Sequence, residues 1–364
     1  MEIFDIVKFL KKAVAFGASD VHLKVGHAPF IRKNGYIKGF NLPPLTKDDL
    51  DRSILEIAPS GLKDTILNHM DLDYMYEIKG CSRFRVNYNR QLGMPALVIR
   101  NIPYEIPKLA DLGLPDILNK IVEYQNGIIL VTGPTGSGKS TTLASLIDEM
   151  AIKSSRHIIT IEDPVEYIFN CKKSIISQRQ VGVDTQSFSD GIKYALRQDP
   201  DVIFIGEIRD KDTMAAALKA SETGHLVLST LHTNDAVQTI NRIVNMFDES
   251  HREIARTQLA ETLRATIAQK LVYSEKNQKR YPACEIMVVT PTIKDYLKKD
   301  NSDEIYELIR ENTFDDMISM NLSLLKLVSN DLISEEEALQ ASVDTNELEK
   351  MFRGVYQGTR AYYE

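Results

Sequence analysis

Residues 133–141, GPTGSGKST, have the types and spacing of a phosphate cradle. They fit G-x-x-x-x-G-K-[ST], with a strand-like apolar run before them and a helical pattern after, the context in which that spacing carries its mechanism. Gly133, Gly136 and Gly138 let backbone N–H groups turn inward around a phosphate, and Pro134, Thr135, Ser137 and Thr141 complete the loop. The N-terminus of the following helix adds partial positive charge. Lys139 is expected to reach the β- and γ-phosphates, and Ser140 to set its hydroxyl on Mg²⁺. The chain is therefore expected to bind ATP with Mg²⁺; a glycine-rich turn without a ligand is the plain alternative.

Hydrolysis needs two acids, one to hold Mg²⁺ through water and one to orient the attacking water. In an open α/β sheet, ligand chemistry lies at the carboxyl ends of the strands. The run HIITIED ends at Glu162, VIFIGE at Glu207 and HLVLSTLH at His232. Glu162 is the candidate for orienting water and Glu207 for the metal, although Glu207 also reads as a helix-entry acid pairing with Arg209. An aspartate is the usual acid after such a strand; here Gly206 and Glu207 stand instead. His225 and His232 are seven residues apart, an odd number. In an unbent strand they face opposite ways, roughly 23 Å from end to end at about 3.3 Å per residue. Only His232 can then serve as a γ-phosphate sensor or polariser; His225 reads as structural or as a subunit-boundary residue.

Arg83, Arg85, Arg90 and Arg100 lie nearer the amino terminus, and alternation in RFRVN puts Arg83 and Arg85 on one strand face. That face is either a solvated basic surface or a set of arginine fingers for a neighbouring subunit's nucleotide, where a guanidinium neutralises charge in the transition state.

The elements that must position these groups follow from periodicity. Residues 5–16 place Ile6, Phe9, Leu10 and Ala13 at helical spacing. Asn34-Gly35 between short runs predicts a two-residue hairpin. Further strands in YMYEIKGCSRFRVNYNR and PALVIRNI make the first hundred or so residues a small α+β domain. Pro103, Pro107 and Pro115 mark a stiff connector. From Gly127, strand, loop and helix alternate, and the strands are continuous apolar runs of the kind covered on both faces. The pattern predicts a doubly wound parallel α/β core. Near residue 252 helices take over, EIARTQLAETLRATIAQKL (253–271) reading as the longest, and the charged tail after Thr290 reads as all-helical.

Length and charge narrow the partners. At 364 residues the chain accommodates two domains. Its 44 basic and 51 acidic side chains give −7, poor electrostatics for a non-specific nucleic-acid grip. The three cysteines, Cys81, Cys171 and Cys284, are scattered, which indicates no zinc module and suits a reducing compartment. The opening MEIFDIVKFLKKAVAFG is interrupted by charges, unlike a signal peptide. No run approaches the ~20 apolar residues of a membrane span. A cytoplasmic protein is expected, any membrane role coming through a partner.

Together the motifs resemble the secretion and pilus ATPase superfamily, most closely the type IV pilus retraction ATPases of the PilT/PilU type. GASDVHLKVGHAPFIRKNG and RFRVN are similar to that family's amino-terminal domain, IITIEDPVEY to its acidic box, LRQDPDVIFIGEIRD to its Walker B region and TGHLVLSTLHT to its histidine box. The resemblance implies that the Walker B acid is a glutamate after a glycine, that Glu162 is the general base and Glu207 the magnesium acid, and that His225 and His232 are the box histidines. It implies a PAS-like domain (1–102), a linker (103–116), a RecA-like ATPase core (117–290) and a helical carboxy-terminal region (291–364). It also implies a homo-hexamer with ATP between subunits, acting at the cytoplasmic face of the inner membrane on a pilus platform protein. Pilus assembly and type II secretion ATPases carry a four-cysteine zinc insert after the histidine box; here LVYSEKNQKRYPACEIM holds only Cys284. Retraction enzymes carry an AIRNLIRE segment, and TIKDYLKK (292–299) is read as standing in its place. The expected function is a Mg-ATP-hydrolysing motor for pilus retraction and twitching motility. Its rivals are a PilU-like accessory motor, a nucleic-acid-translocating RecA-like motor, a non-hydrolysing nucleotide-binding scaffold and a small-molecule kinase.

Overall fold

The computed structural model describes residues 4–33, 35–311 and 316–354. Two compact units divide the chain, one running to Glu105 and including Glu166–Ile168, the other holding Ile106–Val165 and the chain from Phe169 onward.

In the first unit, helix α1 (Ile6–Ala15) buries Ile6, Phe9, Leu10 and Ala13, the stripe its spacing dictates, and Asp5 caps it by accepting from the Lys8 N–H. Helix α2 (Lys47–Ile57) starts at a capping box between Thr46 and Asp49. Strands β1 (Asp20–Lys24), β2 (Phe30–Lys33), β3 (Tyr36–Gly39), β4 (Leu72–Ile78), β5 (Ser82–Gln91) and β6 (Met94–Ile102) form one antiparallel sheet in the order β3-β2-β1-β6-β5-β4. Strands β2 and β3 pair through Lys33 and Tyr36, and Gly35 between them has φ +87°, whereas Asn34 of the anticipated turn lies outside the described residues. Register sets Arg32 opposite Asp20, Asp20 opposite Arg100 and Arg100 opposite Arg85. The strand period thus aligns a row of alternating and then like charges across one sheet face.

The second unit is built on a seven-stranded sheet in the order β13-β12-β7-β11-β10-β8-β9. Its members are β7 (Gly127–Thr132), β8 (His157–Glu162), β9 (Ile175–Gln180), β10 (Val202–Ile205), β11 (Leu226–Leu231), β12 (Leu263–Ser274) and β13 (Lys279–Val288). All neighbours are parallel except β12 and β13. Every residue of β7, β10 and β11 is buried, as expected of apolar runs sandwiched between helices. A short α3 (Ile117–Ile121) precedes β7, and α4 (Lys139–Lys153) follows it, burying Leu143, Leu146, Ile147 and Met150. Helices α5 (Phe188–Ala195), α6 (Lys211–Glu222), α7 (Ala236–Val244) and α8 (Arg252–Thr262) join Ile128, Leu130, Ile159, Ile161, Ile203, Ile205 and Val227 in one continuous core. This is the α/β, RecA-like core anticipated above, with the antiparallel sheet in the amino-terminal unit and a helical end. That end comprises α9 (Pro291–Lys299), α10 (Ser302–Glu311), α11 (Met320–Ser329), α12 (Glu335–Ala341) and α13 (Thr345–Phe352).

The stretch after residue 252 departs from the sequence reading, because it holds two strands, β12 and β13, where helices were expected. The expected long helix over 253–271 stops at Thr262, and the chain continues as β12, hydrogen-bonded to β7 on one side and β13 on the other. Leu259, Leu263, Ile267 and Leu271 recur every four residues. That interval fits a helix stripe and also one face of a strand, since four is a multiple of two. The otherwise open edge of β7 settles the ambiguity, because its N–H and C=O groups need partners inside the core.

Candidate functional site

Gly133 follows β7 with φ +139°, and a Cβ there would stand 2.3 Å from the Gln269 carbonyl oxygen and 2.7 Å from Ser137 Oγ. Gly138, the N-cap of α4, has φ +92°, and its Cβ would stand 2.8 Å from Gln269 Nε2. Both positions combine a left-handed backbone with a close approach, so only glycine fits. Gly136, also at positive φ, faces open space. Lys139 is buried and its ammonium donates to the carbonyls of Gly133 (2.8 Å) and Pro134 (3.0 Å) at the start of the loop. Pro134, Thr135, Gly136 and Ser140 are exposed, Thr141 is half-buried, and Ser137 is buried with its hydroxyl lacking a hydrogen-bond partner among the described residues. A buried hydroxyl without a partner, in a glycine-rich loop at a helix N-terminus, fits a polyanionic phosphate.

The neighbouring strands bring three further groups to this edge. Glu162 ends β8, is 6% exposed, and accepts from Thr160 Oγ1 (2.7 Å) and Gln178 Nε2 (3.4 Å). Beyond β10, the Gly206 N–H donates to the Ile161 carbonyl (2.8 Å) and Thr230 Oγ1 donates to the Gly206 carbonyl (2.7 Å). The Ile208 N–H donates to the Thr230 carbonyl (3.1 Å), so β8 and β11 fix the backbone on either side of Glu207. Glu207 meets Arg209 Nη2 at 2.5 Å and His232 Nε2 at 3.7 Å. The helix-entry pairing with Arg209 is therefore present alongside the approach to His232. Burial holds the His232 imidazole below its ordinary value and the Lys139 charge adds to this, while Glu207 opposes them, so the ring is neutral near pH 7. Ser140 presents a hydroxyl and Glu207 a carboxylate, hard oxygen donors that suit Mg²⁺.

His225 is not brought to this edge. It precedes β11 at the amino end, where its Nδ1 lies 2.9 Å from the Ala220 carbonyl and 3.1 Å from Thr223 Oγ1. In the first unit, Arg83 is 9% exposed and donates to the Glu166 carbonyl (2.7 Å). Arg100 Nε donates to Asp20 Oδ1 (3.0 Å), and Arg85 lies 3.9 Å from Asp73.

Sequence reasoning missed two kinds of support. Thr160, two residues before Glu162 and hence on its face of β8, was open to discovery by alternation. Gln269 was hidden by the mistaken helix. It is 4% exposed, sits on β12 against the phosphate loop, and accepts from Thr142 Oγ1 (2.8 Å). The AIRNLIRE placement also needs correction. EIYELIRE, residues 304–311, shares that segment's final LIRE and lies on α10, one helix later than 292–299.

Among the described residues, no helix is long and apolar enough to cross a membrane. The family model for type II/IV secretion system proteins matches residues 82–339. The chain is 39% identical to the type IV pilus retraction ATPase PilT of Pseudomonas aeruginosa, over 92% of this chain and 97% of that protein. It is 34% identical to the type IV pilus ATPase PilU of the same organism, over 95% of this chain and 91% of that one. The crystal structure of the pilus retraction motor PilT with bound ADP superposes with a TM-score of 0.86 at 42% identity, covering 96% of this chain and 100% of that chain. With the loop and acids in place, the chain belongs to the type II/IV secretion system family, as a nucleotide-binding ATPase of the PilT type.

Proposed function

We propose that this chain is a Mg-ATP-driven motor of type IV pilus retraction, working as a homo-hexamer against a pilus platform protein at the cytoplasmic face of the inner membrane. The observation that carries the reading is the convergence of Lys139, Glu162, Glu207 and His232 at the carboxyl edge of one parallel sheet, in a chain similar to PilT along nearly its whole length. In this reading the N–H groups of 133–141 hold the β- and γ-phosphates. Lys139 exchanges its loop carbonyls for phosphate oxygens, a charge-assisted gain at no cost in side-chain reach. Glu162, held by Thr160, accepts the proton of the attacking water, and Ser140 and Glu207 would hold Mg²⁺, Glu207 partly through water. When bound, Mg²⁺ would supply charge neutralisation for the phosphates. Neutral His232 polarises the γ-phosphoryl beside Glu207. His225 stands at a subunit boundary, and Arg83, Arg85 and Arg100 serve a neighbouring copy's nucleotide, Arg85 and Arg100 being the more exposed. Residues 1–102 and 117–290 act as separate modules joined by a hinge at 103–116, with 291–364 as a helical annex.

The purified Glu162→Gln variant should bind ATP as tightly as the parent and lose turnover; undiminished hydrolysis removes Glu162 as the base. In cells, loss of the gene should leave abundant surface pili without twitching. Loss of pili would point instead to assembly. An accessory motor of the PilU type is the second reading, supported by the likeness to PilU. It predicts that deletion weakens twitching without abolishing it.

A further inference from the structure

We infer that Gln269 is a positioning residue for the phosphate cradle, shaping the loop from behind through Gly133, Gly138 and Thr142. The inference rests on the reading of 133–141 as a nucleotide site. Strand β12 runs beside β7 in register, Thr266 opposite Leu130, Ile267 opposite Val131 and Ala268 opposite Thr132. Gln269 therefore arrives level with the start of the loop. Its backbone oxygen fills the space that a side chain on Gly133 would need, and its Nε2 does the same at Gly138. Its Oε1 accepts from Thr142 Oγ1 at 2.8 Å, in the first turn of α4. One residue thus abuts the two glycines that bracket the loop and the helix that carries Lys139 and Ser140.

A buried amide in this strand position has a cost that an apolar residue would not, because polar groups removed from water must be hydrogen-bonded. Leu271, on the same face of β12, also approaches Gly138, its Cδ1 lying 3.7 Å from that glycine's Cβ position. Apolar packing alone was available to fill the space. What the glutamine adds is a directional tie between β12 and α4. Such a tie matters because three glycines at positive φ leave the loop otherwise free to change shape. Phosphate-binding N–H groups must be held within about 0.5 Å to be effective.

The test uses the full chain with binding of a fluorescent ADP analogue, steady-state ATP hydrolysis and thermal melting. Gln269→Leu and Thr142→Val should each weaken ADP binding and raise KM for ATP about tenfold, the loss of one buried hydrogen bond. In each, kcat should change less than KM. Combining them should weaken binding no further than either alone, since they remove the same tie. Thr142→Ser, which keeps the hydroxyl, should restore affinity to within about threefold of the parent. Unchanged affinity in Gln269→Leu and Thr142→Val, with only a lower melting temperature, would show a packing role and overturn the inference. Additive losses in the double variant would overturn the shared tie. If the parent itself bound no ADP, with Lys139→Ala indistinguishable from it, the nucleotide reading would fall and this inference with it.

Discussion

Replacing Glu285 by Gln should stabilise the protein at alkaline pH and leave it unchanged in mild acid. Glu285 lies on β13, 3% exposed, and its Oε1 accepts from the Ala236 N–H (2.8 Å) at the start of α7. It borders a cavity of about 160 Å³ with Asp235, Tyr306, Met320, Asn321, Val343 and Asp344. The charges facing it are Asp235 from the cap of α7 and Lys270 from β12, with Asp344 across the cavity; Arg310 and Glu347 are paired beside it at 2.7 Å. Burial raises the carboxyl from 4.5 to about 7 and Asp235 adds to the rise, while the Ala236 hydrogen bond and Lys270 oppose it. The folded state therefore binds the proton more tightly than the unfolded chain. Stability contributed by this proton is full below the unfolded value of 4.5 and is lost as pH rises to about 7. A shift of this size corresponds to roughly 3 kcal/mol at 1.36 kcal/mol per unit.

The amide introduced by Glu285→Gln would keep a carbonyl acceptor for Ala236 and never ionise. Melting followed by calorimetry at pH 5 and pH 8 separates the two proteins. At about 2–4 °C per kcal/mol, the Glu285→Gln variant should melt roughly 6–12 °C above the parent at pH 8. At pH 5 the two should agree to within about 2 °C. A variant equal to or below the parent at both pH values would refute the reasoning, because it would mean that the buried carboxylate ionises without penalty.

The other two outcomes follow from equally local geometry. Gly191→Ala in α5 gains about 1 kcal/mol of helix propensity. Yet its Cβ would stand 2.8 Å from Ile161 Cγ2 on β8, so overpacking of about 1–3 kcal/mol should win and lower the denaturation midpoint. A raised midpoint would show that Ile161 yields freely. For His232, the lowered imidazole value means that the neutral ring persists to lower pH than in a free imidazole, with half-protonation reached below 6.5. Hydrolysis should therefore hold nearly level from pH 8 to about 7 and decline in acid, and His232→Gln should lower kcat roughly tenfold and remove the His232 component of that decline. An activity that already halves at pH 7 would place the titration elsewhere.

The legible parts of the molecule were those whose chemistry is local in sequence. GPTGSGKST declares itself because the glycines, lysine and hydroxyl act within nine adjacent residues. The ends of β8, β10 and β11 could be read because each apolar run stops at a polar group, and parallel strands bring such ends to one edge. Gln269 was not legible for a converse reason. Its role depends on β12 lying next to β7, a pairing between residues more than a hundred positions apart. The four-residue interval from Leu259 to Leu271 is silent on whether helix or strand is meant.

The two histidines show how motif and geometry divide the work of inference. Resemblance groups His225 with His232, whereas the strand period separates them, and β11 does lie between them from Leu226 to Leu231. His232 emerges beside Glu207, while His225 is spent on the carbonyl of Ala220 at the far end of the strand. Within one chain the period is the better guide, because a continuous strand fixes the separation of its ends whatever box the residues share. A role for His225 in hydrolysis must then come from a surface that a second copy supplies, as must one for Arg85 and Arg100. In the proposed reading the single chain holds the base, the metal acid and the cradle, and a neighbouring copy would supply charge neutralisation from outside the cradle. On that proposal turnover would depend on closure between subunits, and ADP-dependent assembly of the purified chain would be its first requirement.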